Sequence, residues 1–250
     1  MKIPTHSPSS NSTAAASTKP MPHWNRALDI FCCLLALPFL SLLVLVMAVF
    51  TRLVSPGPVF FRQERVGLRG RRFQIFKFRT MKTGADLAVH KNHMQQLMVS
   101  NAPMVKLDAL NDTRLIPGGW ILRASGLDEL PQLINVLRGE MSLVGPRPCI
   151  QSEFDQFLPW QRERVNAVPG LTGLWQVSGK NRTTFDEMIR LDIAYSRQAS
   201  LWLNLKIIAL TPWAMGVQFY DTRLSRKSAS PLKPVSASSL PLMPIRVTVP

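Results

Sequence analysis

Acidic residues are scarce in this chain: 15 Asp and Glu stand against 30 Lys and Arg, a formal charge of +15 over 250 residues. That deficit leaves anionic partners as the natural ones, whether nucleic acid, an anionic membrane surface or a phosphorylated substrate. Cysteine is scarcer still, with Cys32 and Cys33 adjacent and Cys149 alone. Neither a disulfide framework nor a metal-ligand spacing can be built from them, so the chain reads as a resident of a reducing compartment. Internal repeats are absent. The length suits one domain with appendages.

The longest absence is of charge itself. From Ile30 to Thr51 the chain runs 22 residues without a charged side chain. At about 1.5 Å rise per residue, a helix of that length matches a hydrocarbon core of roughly 30 Å. The run starts late and no small-residue cleavage site follows it, which argues against a removed signal peptide. This segment enters a membrane. Pro38 sits near its middle, and proline removes a backbone donor and bends a helix. Lys2, Lys19 and Arg26 precede the run, while Arg52, Arg62 and Arg65 follow it. Positive charge on both flanks gives no direction of crossing, so a re-entrant hairpin and a single span both fit these residues.

The rest divides by composition. Residues 1–24 and 221–250 are rich in Ser, Thr, Pro and Ala, lack a periodic apolar face and read as disordered tails. Residues 25–54 form the membrane segment and 55–220 the cytosolic domain. Aromatic and β-branched residues alternate with polar ones from Ser55 to Met81, predicting two short strands around Leu68–Gly70. Eight Lys or Arg and one Glu lie between Arg62 and Lys82. With an apolar segment just upstream, this stretch reads as a patch facing lipid headgroups or phosphate rather than nucleic acid. Residues 83–111 read as a helical or loose insertion. Phe185–Tyr195 repeats apolar residues at helical spacing. Leu201–Phe219 carries Trp202, Trp213 and a single charge, Lys206, as an interfacial helix does.

Where acids do occur together they are informative. "RASGLDELPQLINVLRGEMSLVGPRP", from Arg123 to Pro148, sets Asp128 beside Glu129 ahead of an apolar run. One reading is local: Ser125 or Asp128 caps a helix whose buried stripe is Leu127, Leu130, Leu133 or Ile134, and Leu137. Pro131 is tolerated in a first turn, which fixes the helix start close to Asp128. The other reading is chemical. A helix start attracts anions, and Arg123, Arg147, Lys77 and Arg79 supply cations for phosphate. Two carboxylates at such a place need a bridging cation, and Mg²⁺ commonly uses one or two carboxylates plus phosphate oxygens.

The segments "SPGPVFFRQERVG", "FKFRTM", "LDELPQLINVLRGEMSLVGPRP" and "PGLTGLWQVSGKNRTTFDEMIRLDIAYSRQASLWLNLKII" resemble the bacterial sugar transferases, the monotopic polyprenyl-phosphate phosphoglycosyl transferases. The similarity covers roughly residues 25–218. It implies a mixed α/β catalytic domain with interfacial amphipathic helices and a re-entrant membrane helix. It also implies transfer of a sugar-1-phosphate from a UDP-sugar to polyprenyl phosphate, with release of UMP.

By that resemblance Asp128 is the nucleophile and the Mg²⁺ ligand, and Glu129 positions groups or handles a proton. Arg123 binds phosphate, and Arg147 takes part in nucleotide recognition. The implied place is the cytoplasmic face of a bacterial inner membrane, with membrane lipid as a partner, no nucleic acid, and self-association left open. One departure stands out: the family's membrane helix breaks at a Ser-Pro pair, whereas here Ser41 precedes Leu42, so the bend is expected near Pro38. Two rivals remain, a glycosyltransferase that releases UDP and a membrane-tethered basic adaptor without catalysis.

Overall fold

A computed structural model describes residues 22–85, 88–104 and 112–228. It is a mixed α/β structure carrying one helix long and apolar enough to cross a membrane. That helix, α1 (His23–Val54), is continuous through Pro38. The bend expected near Pro38 does not interrupt the helix. A single proline removes one N–H from the helical ladder, and the neighbouring turns remain intact.

One stripe of α1, made by Asn25, Asp29, Cys33, Leu40, Met47 and Thr51, is buried along the whole length. The opposite face is bare and apolar, with Phe31, Leu35, Leu42, Val46 and Leu53 exposed. The buried stripe meets the domain at both ends. Near the start, Asp29 Oδ1 accepts from Ser142 Oγ at 3.0 Å and from the Leu143 amide at 2.9 Å. Asn25 accepts from Asn204 at 2.7 Å, and Arg26 donates to the carbonyls of Val136 and Leu137. Near the finish, Phe50 lies against Gly118, and Arg79 binds Ser55.

Strands β1 (Phe60–Val66) and β2 (Arg72–Phe78) pair antiparallel, with Phe60 opposite Phe78 and Val66 opposite Arg72. Their turn spans Leu68–Gly70, as alternation in the sequence predicts. Helix α2 (Ala88–Ser100) comes from the stretch read as an insertion and proves structural. Its Met94 and Leu97 join Met188, Ile189, Phe185 and Trp175 in the largest apolar cluster. A second cluster joins α1 to β2 through Cys33, Leu40, Ile75, Leu133 and Val136.

Next come α3 (Gly119–Ser125), a 3₁₀ turn over Leu127–Gln132 and α4 (Leu133–Leu137). Strand β3 (Ser142–Val144) pairs in parallel with β4 (Gly170–Thr172), and α5 (Gln151–Phe154) lies between them in sequence. Backbones meet closely at this pair: a Cβ on Gly170 would lie 2.0 Å from the Gly145 nitrogen, which only two glycines can avoid. After α6 (Leu174–Val177), helix α7 (Phe185–Gln198) starts on a full capping box, Thr184 with Glu187.

The last helix, α8 (Leu201–Ser228), runs through Pro212 and eight residues past the boundary at 220. The reading of 221–250 as a tail therefore fails for 221–228, where a helix continues. His23 and Trp24 are likewise helical, while 1–21 and 229–250 lie outside the described residues.

The Arg62–Lys82 stretch leaves five of its eight cations exposed, at Arg62, Arg69, Arg71, Arg72 and Lys82. Arg65 and Arg79 are buried, and Arg72 pairs with Glu64 at 3.3 Å. Arg62 sits over the Phe76 ring and Lys77 pairs with Glu129. Cation density in a sequence counts charges without telling which way alternate strand residues point.

Candidate active site

Asp128 and Glu129 sit in the 3₁₀ turn that opens the α4 region, next to β2. Neither proposed cap is made. Gly126 is the residue before the turn, no side chain caps it, and Ser125 Oγ donates back to the Leu122 carbonyl at 3.1 Å. Gly126 also ends α3, and its φ of +72° makes the corner between Arg123 and the two acids. Any side chain there would be strained and would approach Met215.

Adjacent residues on a 3₁₀ turn point about 120° apart, so the two carboxylates face different surroundings. Asp128 is 5% exposed. The Glu129 side chain is 37% exposed and accepts from Lys77 Nζ at 2.8 Å. The turn is stitched to β2 by Asn135, which is fully buried. Its Oδ1 accepts from the Phe76 amide at 3.1 Å, and its Nδ2 donates to the Gln74 carbonyl at 2.7 Å and to Glu140 at 2.6 Å. An amide side chain paired on both edges fixes α4 against the strand that presents Lys77. Asn135 escapes sequence reasoning except as the one polar residue inside Leu133–Leu137.

Arg123 lies in the last turn of α3, and Gln218 of α8 donates to its carbonyl at 3.2 Å. Its charge helps hold down the Asp112 carboxyl. Burial alone would raise Asp112, but hydrogen bonds from the Arg114 side chain and amide keep it below the ordinary 3.8.

Arg147 and Arg79 stand elsewhere. Arg79 donates from Nε to the Pro58 carbonyl at 2.7 Å, and from its other nitrogens to Ser55 and the Met81 carbonyl. It joins the end of α1 to β2, which gives it a scaffold role.

Arg147 belongs to a second ionic cluster around the Gly-Pro-Arg-Pro turn. Its Nη1 lies 3.5 Å from Glu153 Oε2. Its carbonyl accepts from Arg164 at 2.8 Å, and the next carbonyl, of Pro148, accepts from Arg65 at 3.2 Å. Arg164 and Asp192 form a sealed pair at 2.5 Å, each side chain 1% exposed. Burial pushes the Asp192 carboxyl up to about 6 against the pull of Arg164, and brings Arg65 down to about 10, with Arg147 adding to the effect. Arg65 also feels the Glu129 charge, so the two clusters are neighbours.

Among the described residues no three His, Cys, Asp or Glu side chains gather as a metal cage. Asp128 and Glu129 are the adjacent oxygen donors. A pair of carboxylates leaving the remaining positions to water and phosphate is a donor set that suits Mg²⁺ and does not suit a structural zinc.

The sequence profile described as bacterial sugar transferase matches residues 21–218. A galactosyl transferase, CpsE, of Streptococcus agalactiae serotype III (strain NEM316) is 45% identical over 161 residues, 62% of this chain and 34% of that protein. A UDP-glucose:undecaprenyl-phosphate glucose-1-phosphate transferase of Xanthomonas campestris pv. campestris is 41% identical over 191 residues, 73% of this chain and 37% of its own length. A protein of the same name from Caulobacter vibrioides (strain ATCC 19089 / CIP 103742 / CB 15) is 42% identical over 194 residues, 74% of this chain and 67% of its own. The chain thus spans about a third of the first two and two thirds of the third.

Proposed function

The chain belongs to the bacterial sugar transferase family, and from that premise we propose that it moves a sugar-1-phosphate from a UDP-sugar to a polyprenyl phosphate such as undecaprenyl phosphate. Relatives carry that activity in their names. The observation that carries the reading is the placement of Asp128: a buried carboxylate just past the Gly126 corner, beside a Glu129–Lys77 pair that substrate charge can reach.

In the first step an Asp128 oxygen attacks the phosphorus that bears the sugar. The bond from that phosphorus to the bridging oxygen of the diphosphate breaks, and UMP leaves with the electron pair. In the second step an oxygen of polyprenyl phosphate attacks the same phosphorus and the Asp128 carboxylate departs. A carboxylate is a modest nucleophile and a good leaving group, so the acyl phosphate remains reactive.

Asp128 would hold Mg²⁺, which would supply charge neutralisation at the transferring phosphoryl group. Arg123, three residues before the Gly126 corner, would bind phosphate. Lys77 orients Glu129 and contributes positive potential. Arg147 acts from the neighbouring cluster on the nucleotide. Positioning and electrostatics supply most of the rate in phosphoryl transfer.

The protein sits on the cytoplasmic face of the bacterial inner membrane and takes part in exopolysaccharide or lipopolysaccharide assembly. Both ends of α1 rest on one folded domain, which supports entry from, and return to, the same face. Cysteines introduced at Ser9 and Gln63 should then label from one side, and labelling from opposite sides contradicts this topology. For the reaction, the purified chain is given a panel of UDP-sugars and a polyprenyl phosphate and the nucleotide product is identified. UMP is expected. UDP would mean transfer of the sugar alone, and no consumption of any donor would favour a non-catalytic adaptor.

A further inference from the structure

The match to the family ends at residue 218, but α8 continues to Ser228. That extension carries Arg223, Arg226 and Lys227, which with Trp120 of α3 line an open cleft of about 310 Å³. Positions 223, 226 and 227 fall on one helix face by i, i+3 and i+4 spacing. The extension's acid, Asp221, falls on another face and is held by Arg182 at 3.0 Å, so it does not neutralise the cleft.

The aromatic wall is fixed as well. Trp120 stacks on Phe219 with ring centroids 6.0 Å apart, and the Arg226 guanidinium lies 5.1 Å from the Trp120 ring centre. Just before the extension, Gln218 donates to the carbonyls of Arg123 and Ala124 at 3.2 Å each, tying α3 to α8.

We propose that this cleft binds the phosphodiester headgroup of an anionic phospholipid of the bulk bilayer. Three cations on one face attract a diester anion, and an indole at their edge suits headgroup depth, where tryptophan gathers. The same helix leaves Trp202, Trp213 and Leu224 exposed, and α1 presents its bare apolar face, so α8 has the surface of a helix at a lipid boundary. The volume stands at the lower end of small-molecule sites, enough for a glycerophosphate headgroup. This site is separate from the acids at Asp128 and Glu129, and it stands whether or not the proposed reaction is correct.

The test titrates the full chain, purified in nonionic detergent at low salt, with short-chain phosphatidylglycerol. Short-chain phosphatidylcholine, inorganic phosphate and a polyprenyl phosphate are run in parallel. Saturable binding of phosphatidylglycerol at least ten-fold tighter than phosphatidylcholine is expected. The combined R223Q/R226Q/K227Q variant should lose about five-fold in affinity per charge removed, and Trp120→Ala several-fold. If the combined variant also melts lower, Lys227→Gln alone, an exposed position, carries the same five-fold expectation. Equal affinity of variant and native chain for phosphatidylglycerol overturns the proposal. So does binding of polyprenyl phosphate or inorganic phosphate with phosphatidylglycerol inert.

Discussion

Two ionic clusters lie next to each other in this chain, and the principal ion pair of one is open to water while that of the other is sealed. Lys77 and Glu129, at 21% and 37% side-chain exposure, form a pair that an incoming phosphate can re-partner. Arg164 and Asp192, each 1% exposed, form a pair that no substrate can open without unfolding the turn they hold. The first costs little to break and is placed beside a buried nucleophile candidate. The second fixes the carbonyl of Arg147, and with it the direction of the Gly-Pro-Arg-Pro turn. Similar residue types thus form a pair open to incoming charge in one place and a sealed structural pair in the other, and burial is what separates them.

That contrast can be broken at either cluster. The largest effect is expected at Asp128. Asp128→Asn should lower UMP release by at least about a thousand-fold, since the amide is a far poorer nucleophile and metal ligand, while the melting temperature stays close to the native value. In the sealed cluster the effects reverse. Arg164→Met leaves Asp192 buried without its counter-ion and should cost about 3–5 kcal/mol in urea denaturation. Adding Asp192→Leu should recover most of that loss, because no charge is then stranded.

Arg79 decides between two accounts of a cation in "FKFRTM". As a scaffold residue, Arg79→Ala should cost about 1–3 kcal/mol of stability by leaving buried carbonyls unpaired, with the KM for donor unchanged. A raised KM at native stability would return it to the substrate site.

The smallest effect concerns Asp112. Its carboxyl is held below 3.8 in the folded chain, so the folded state binds fewer protons than the unfolded one just under that pH. Its contribution is therefore complete well above 3.8 and lost as the pH falls below it. Asp112→Asn should melt lower than the native chain at pH 6, by about 1 kcal/mol of stability, and the gap should narrow on acidification below 3.8.

The sequence made part of this legible for physical reasons. Period-two alternation gave β1 and β2, helical spacing gave α7, and an uncharged run gave α1, because burial imposes those patterns directly. The acid pair and Pro131 marked a helical start at Leu127–Gln132. The cap was misassigned since Gly126, with its left-handed backbone, took the corner that a Ser or Asp side chain could have capped.

Long-range partners stayed hidden. Nothing local announces that Asn135 pairs with β2, that Arg164 reaches Asp192, or that Arg26 closes α4. The β3–β4 pairing also escaped, because two three-residue parallel strands carry too few residues for any period. Pro38 drew the reading toward a bend, and α1 is a single helix across it, as α8 is across Pro212.

The most direct measurement gives the purified chain a labelled UDP-sugar with Mg²⁺ and no acceptor, then follows intact mass and peptide mapping. One sugar phosphate per chain, on the peptide containing Asp128 and discharged by added polyprenyl phosphate, is the predicted result. A chain that consumes donor in the full reaction yet never carries that group at Asp128 would contradict the account.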